Sequence, residues 1–181
     1  YRLIGLPEAS FGLIGAGMAV LGLVIPRLAY KMADRHTPTY NLATMTAVCM
    51  LGLISMAFFF PVIGLLPMAL LFIVWYMVRF FQSHYLNRIT ASHQRATVLS
   101  FKGLSFNLAY GAIGVLYALL LAVLRPQTAA SQPDLGQSAL ENIVFIKSIG
   151  WFPWYFLVTA AVLLVIARRQ LKTTDLHKRT G

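Results

Sequence analysis

Apolar residues run along this chain in long blocks, and the charged residues stand between them. Between Glu8 and Arg27 lie 18 residues without Asp, Glu, Lys or Arg; between Arg35 and Arg79 lie 43, between Lys102 and Arg125 lie 22, and between Lys147 and Arg168 lie 20. A membrane-spanning helix takes about 20 apolar residues, within a range of roughly 17 to 25. Three of the blocks therefore make one span each. As a single helix the 43-residue block would reach roughly 65 Å, about twice the hydrocarbon thickness. It must double back, and Pro61, with Gly64 and Pro67 close behind, puts the turn near Phe60 to Val62. The pattern predicts an all-α polytopic membrane protein with five transmembrane helices, at about 10–31, 41–60, 63–83, 100–124 and 149–168, followed by a polar tail over 169–181. Pro26 and Pro67 fall near helix ends, where proline is tolerated. The stretch 126–146 reads as an exposed loop, with Ala139 to Ile146 able to form a short interfacial helix. The ten-residue alternation of an outer-membrane barrel does not occur.

Composition narrows the class further. Hydrophobic types make up 59% of the 181 residues and charged types 11%, against about 25% charged in soluble domains. So few charges cannot solvate a globular surface, and so much Leu, Ile, Val and Phe excludes disorder. A lone cysteine, Cys49, excludes an intrachain disulfide. The net charge of +10 does not point to nucleic acid, because the charges lie between apolar blocks, where they orient a membrane protein. Segments 27–36, 79–102 and the tail hold twelve of the 15 basic residues; Arg2, Arg125 and Lys147 lie on the other side. The bias places the twelve in the cytoplasm, the start of the segment outside and its C-terminus inside, in a plasma membrane or, in a Gram-negative bacterium, the inner membrane. No signal peptide is visible. An odd helix count, an outside start and a first residue that is Tyr1 predict at least one preceding helix.

Catalytic and metal-binding patterns are nearly absent. His36, His84, His93 and His177 lack ligand spacing and acidic partners. Asp134 and Glu141, the one carboxylate pair, fall in the external loop and read as hydrated. No catalytic, cofactor-binding or metal residue is assigned, and no enzyme is expected. The chemistry concentrates at two places. At the cytoplasmic mouth, Asp34 and Arg35 serve either as helix cap and membrane anchor or as a conformational latch, with Arg95 a partner for Asp34 or a headgroup contact, and Ser100 an N-cap of the fourth helix. Within the spans, Gly103, Asn107, Gly111 and Gly114 share one helix face with Tyr110, and Asn107 is the only amide well inside a span. Such a stripe marks close helix packing or a polar pathway. Trp75, Tyr76 and Arg79 end the third helix as interfacial anchors or as the wall of an aromatic cavity. Gly12, Gly15, Ala16 and Ala19 form a similar small-residue seam on the first helix.

These segments together resemble the C-terminal part of the major facilitator superfamily. Ala33-Asp34-Arg35 after a Gly-rich helix is similar to that family's loop signature, roughly Gly-x-Leu-Ala-Asp-Arg-x-Gly-Arg, with Tyr30, Met32, Thr37 and Pro38 departing from it. Arg95 to Ser100 resembles the loop before the family's eleventh helix, and the order of helices and loops matches from the eighth to the twelfth. The resemblance implies a fragment of a twelve-helix secondary active or facilitative transporter. It would move a small solute by alternating access, coupled to a proton or to the solute's own gradient. The partners implied are that solute, the lipid bilayer and a missing N-terminal half. Of the family's cavity-lining helices only the tenth is present, at about 63–83. The spans contain no Asp or Glu, so a proton-carrying carboxylate would lie in the missing part. The rival expectation is a small membrane subunit or scaffold without transport of its own.

Overall fold

A computed structural model describes the backbone of residues 1–58 and 62–179, with side chains as far as Ala167. Among the described residues the regular structure is entirely helical, and five helical stretches are long and apolar enough to cross a membrane. The turn expected at Phe60 to Val62 falls mostly on residues 59–61, outside the described residues. Six α-helices follow in order: α1 Phe11–Arg35, α2 Pro38–Ala57, α3 Leu65–Ile89, α4 Arg95–Ser131, α5 Gln137–Ile149 and α6 Phe152–Arg179. The fifth spanning stretch, Gln137–Ala167, joins α5 to α6.

Local chemistry sets the breaks. Pro38 forces Thr37 into extended backbone (φ −67°, ψ 154°), which ends α1 and opens α2. The Thr37 hydroxyl then accepts from the Tyr40 amide at 3.3 Å, and Pro38 occupies the first helical turn. This cap was expected from Asp34, which instead lies in the last turn of α1. Pro153, in the first turn of α6, has no amide hydrogen to give Ile149, and α5 and α6 part at Gly150-Trp151.

The helices outrun the apolar blocks that predicted them, because backbone hydrogen bonding continues past the hydrocarbon edge wherever no residue stops it. Pro26 consequently lies inside α1 rather than at its end, and Pro126 inside α4. The long loop expected at 126–146 is mostly helix, reduced to a link at 132–136 between α4 and α5. Thr128, expected in an exposed loop, is fully buried. Glu141 does not stand with Asp134 but pairs with Arg125 at 3.0 Å, clamping α4 to α5.

α3 is the centre of the packing, with α1 on one side and α2 on the other. Two glycines permit the approach. A Cβ built on Gly22 of α1 would stand 2.9 Å from the Tyr76 ring, and one on Gly52 of α2 would stand 2.8 Å from Leu71. Below these contacts Ile25, Ala29, Ala33, Met45, Met77 and Phe81 close a core. A second core, Leu120, Leu124 and Val144, joins α4 to α5, while α2 touches both α5 and α6.

Candidate functional site

The tightest polar assembly in the bundle lies where α1, α2 and α3 converge, at the end that carries Asp34. Asn41, in the first turn of α2, is fully buried. Its Nδ2 donates to the Met32 carbonyl of α1 at 3.1 Å and to the Tyr85 hydroxyl of α3 at 2.9 Å. One side chain thus ties three helices. Among the described residues the Asn41 Oδ1 and the Gln82 Oε1 are buried without a hydrogen-bond partner. Both residues border one groove of about 350 Å³ between α2 and α3, floored by Met45, Val78 and Phe81. A buried acceptor left unpaired costs free energy, so these two amides mark the groove as chemically unfinished.

Asp34 and Arg35 are exposed on the last turn of α1, at the rim of a neighbouring hollow that also takes in His36 and Arg88. The structure does not join Asp34 to Arg95. The Arg95 guanidinium donates to the carbonyls of Thr90 and Asn87, at 3.4 and 3.5 Å, and so fastens the turn between α3 and α4. Ser100 is no N-cap. α4 starts five residues earlier, at Arg95, because a 3-10 turn over Ser92–Gln94 leads straight into it, and Ser100 is exposed on the helix.

The second group of candidates divides in two. On α3, Trp75 and Tyr76 meet edge to face with ring centroids 4.9 Å apart, and the Arg79 guanidinium lies 4.7 Å above the Trp75 ring. The cation and the aromatic face attract each other. Tyr76 is turned towards Gly22 of α1, so it packs the bundle while Trp75 and Arg79 remain exposed. On α4, Asn107 and Tyr110 are exposed, Tyr110 by 82%. A Cβ at Gly103, Gly111 or Gly114 would meet nothing within 4 Å, and the same holds for Gly12 and Gly15 of α1. The close helix contact that both stripes suggest is therefore not made among the described residues. Among the described residues no hydrogen bond, ion pair or ring contact links the α3 group to the α4 group.

Sequence reasoning passed over Asn41, Gln82 and Tyr85. The available signal was an amide at the edge of an apolar block, with an amide and a tyrosine three residues apart at the end of the next helix. Comparison with protein-family models, with characterised proteins and with solved structures finds no match to this chain.

Proposed function

We propose that these helices belong to a secondary transporter of the major facilitator type, which moves a small solute across the bilayer by alternating access. Asn107 carries the reading. It places an amide deep in the span of α4, on an open face of glycines beside Tyr110. A polar side chain at that depth, when it faces lipid, is unfavourable, and such groups mark polar pathways or helix contacts. In the proposal, helices outside these 181 residues cover the open faces of α1 and α4, and Asn107 borders the water-filled route between two rocking bundles. Trp75 and Arg79 on α3 supply an aromatic and cationic stretch of wall. Asp34 and Arg35, at the turn where the family signature is resembled, act at the mouth. The aromatic wall suits a neutral or amphiphilic solute.

The open glycine faces also suit a small subunit docked on a larger membrane protein, and there Asn107 would be sealed in a dry helix contact. Transport separates the two readings. Membrane vesicles holding the natural protein are loaded against a cell extract, and their contents are compared by mass spectrometry with vesicles lacking it. A solute that accumulates with the protein, and several-fold less with Asn107→Leu at equal abundance, supports the transporter. Identical contents in both kinds of vesicle contradict it.

A further inference from the structure

Charge is distributed very unevenly between the two ends of this bundle. At one end stand Arg2, Arg125 and Lys147 with Glu8, Asp134 and Glu141, three basic residues against three acidic. Arg2 is paired with Glu8 at 2.8 Å and Arg125 with Glu141 at 3.0 Å. Among the described residues the opposite end carries Arg27, Lys31, Arg35, Arg79, Arg88, Arg95 and Lys102 against Asp34 alone, seven basic residues to one acidic. Among the described residues Arg79, Arg88, Arg95 and Lys102 form no ion pair.

Lys102 occupies a particular place in that field. It lies two turns into α4 and lines a crevice between α4 and α3. Its ammonium donates to the Ser83 hydroxyl of α3 at 2.8 Å and sits 5.9 Å from the Phe106 ring. The crevice, about 450 Å³, has apolar walls of Leu86, Val98, Phe101, Phe106 and Ala109 on either side of Lys102. The cation thus stands among mostly apolar walls, with Gln82 and Ser105 the other polar residues that line the crevice. An ammonium of this kind retains donors for a further acceptor, and basic pockets between transmembrane helices take up anionic headgroups.

We propose that the α3–α4 crevice binds one anionic phospholipid, its phosphate held by Lys102 and Ser83 and one acyl chain laid against Phe101, Phe106 and Ala109. The two parts of the ligand match what lines the crevice: negative charge at the Lys102 ammonium, hydrocarbon along the apolar walls. A soluble phosphate would satisfy only the ammonium. The inference does not depend on the transporter reading, nor on which side of the membrane the basic end faces.

The test uses the full chain, purified in mild detergent and titrated with phosphatidylglycerol or phosphatidylcholine of identical acyl chains, with bound lipid counted by native mass spectrometry. One phosphatidylglycerol should bind about tenfold more tightly than phosphatidylcholine. Lys102→Gln should remove that preference and Lys102→Arg should keep it. Ala109→Trp, which fills the slot and leaves the charge, should weaken both lipids. Arg125→Gln at the far end should change neither. Circular dichroism on each variant confirms that the helices persist. Equal affinity for the two lipids, an unchanged preference in Lys102→Gln, or displacement of the lipid by millimolar inorganic phosphate would each overturn the proposal.

Discussion

Asn41 and Tyr85 meet at 2.9 Å, amide nitrogen to phenol oxygen, in a part of the bundle where Asn41 has no exposed surface at all. The same nitrogen also reaches the Met32 carbonyl. This is the fastening that holds α1, α2 and α3 together at the basic end, in the region where the sequence left Arg95 either to pair with Asp34 or to face lipid headgroups.

Removing that fastening should be felt in stability. Asn41→Ala leaves a phenol and a carbonyl without their donor and is expected to cost about 1–3 kcal/mol. Tyr85→Phe keeps the Met32 bond, and its expected cost is about 0.6 kcal/mol, the mean for polar contacts between membrane helices. Reversible denaturation in micelles, read by circular dichroism, measures both. Equal costs for the two variants would mean that Asn41 does not bridge three helices.

The glycines divide into two kinds, and the division is testable. Gly22→Leu drives a side chain into the Tyr76 ring and should destabilise the chain by about 1–3 kcal/mol. Gly111 faces open space, so Gly111→Leu in these same residues should stay within about 0.5 kcal/mol of the parent. If the proposed transporter reading holds, the α4 face is covered in the natural protein and Gly111→Leu should impair uptake. A large loss of stability from Gly111→Leu in the chain alone would mean that α4 packs more closely than the open face indicates.

How far the sequence carried the fold follows from the period of its charges. Long charge-free blocks predict five crossings, and among the described residues five helices long and apolar enough to cross a membrane are found. Helix ends were less legible, because Arg35, Arg88 and Gln127 are as compatible with helix as with loop, and only proline, glycine or a cap decides. The site was least legible. Asn107 stands out in any reading, whereas Asn41 looks like an ordinary polar residue at a helix start until α1 and α3 are seen to close over it.

Asp34 and Arg95 stand apart in this conformation, with Arg95 held by Thr90 and Asn87 instead. Their substitutions should therefore act independently on stability. Asp34→Asn and Arg95→Ala are expected to add to within about 0.5 kcal/mol in the double variant. A coupling energy well above that in the same denaturation assay would mean that the two residues meet in the folded ensemble.

Orientation rests on the concentration of basic residues at one end. His93 lies in the turn between α3 and α4 and Ser131 at the far end of α4, both exposed. In a Cys49→Ser background, an impermeant thiol reagent applied to intact cells should label Ser131→Cys and spare His93→Cys until the membrane is permeabilised. The reverse pattern would invert the topology.

The claim that Asn107 borders a water-filled route is tested most directly by a thiol at that position. In the natural protein, carrying Cys49→Ser and Asn107→Cys, a small hydrophilic methanethiosulfonate reacts only where water reaches the sulfur, since the thiolate is the reacting species and lipid suppresses it. An alternating-access pathway requires labelling from each side of the membrane in turn, faster than at Leu108→Cys, which is 73% exposed on the bundle surface and faces lipid in this account. Substrate or a conformational lock should then shift reactivity from one side to the other. Position 107 labelling no faster than position 108 from either side would contradict the transporter reading and leave α4 as a packing helix.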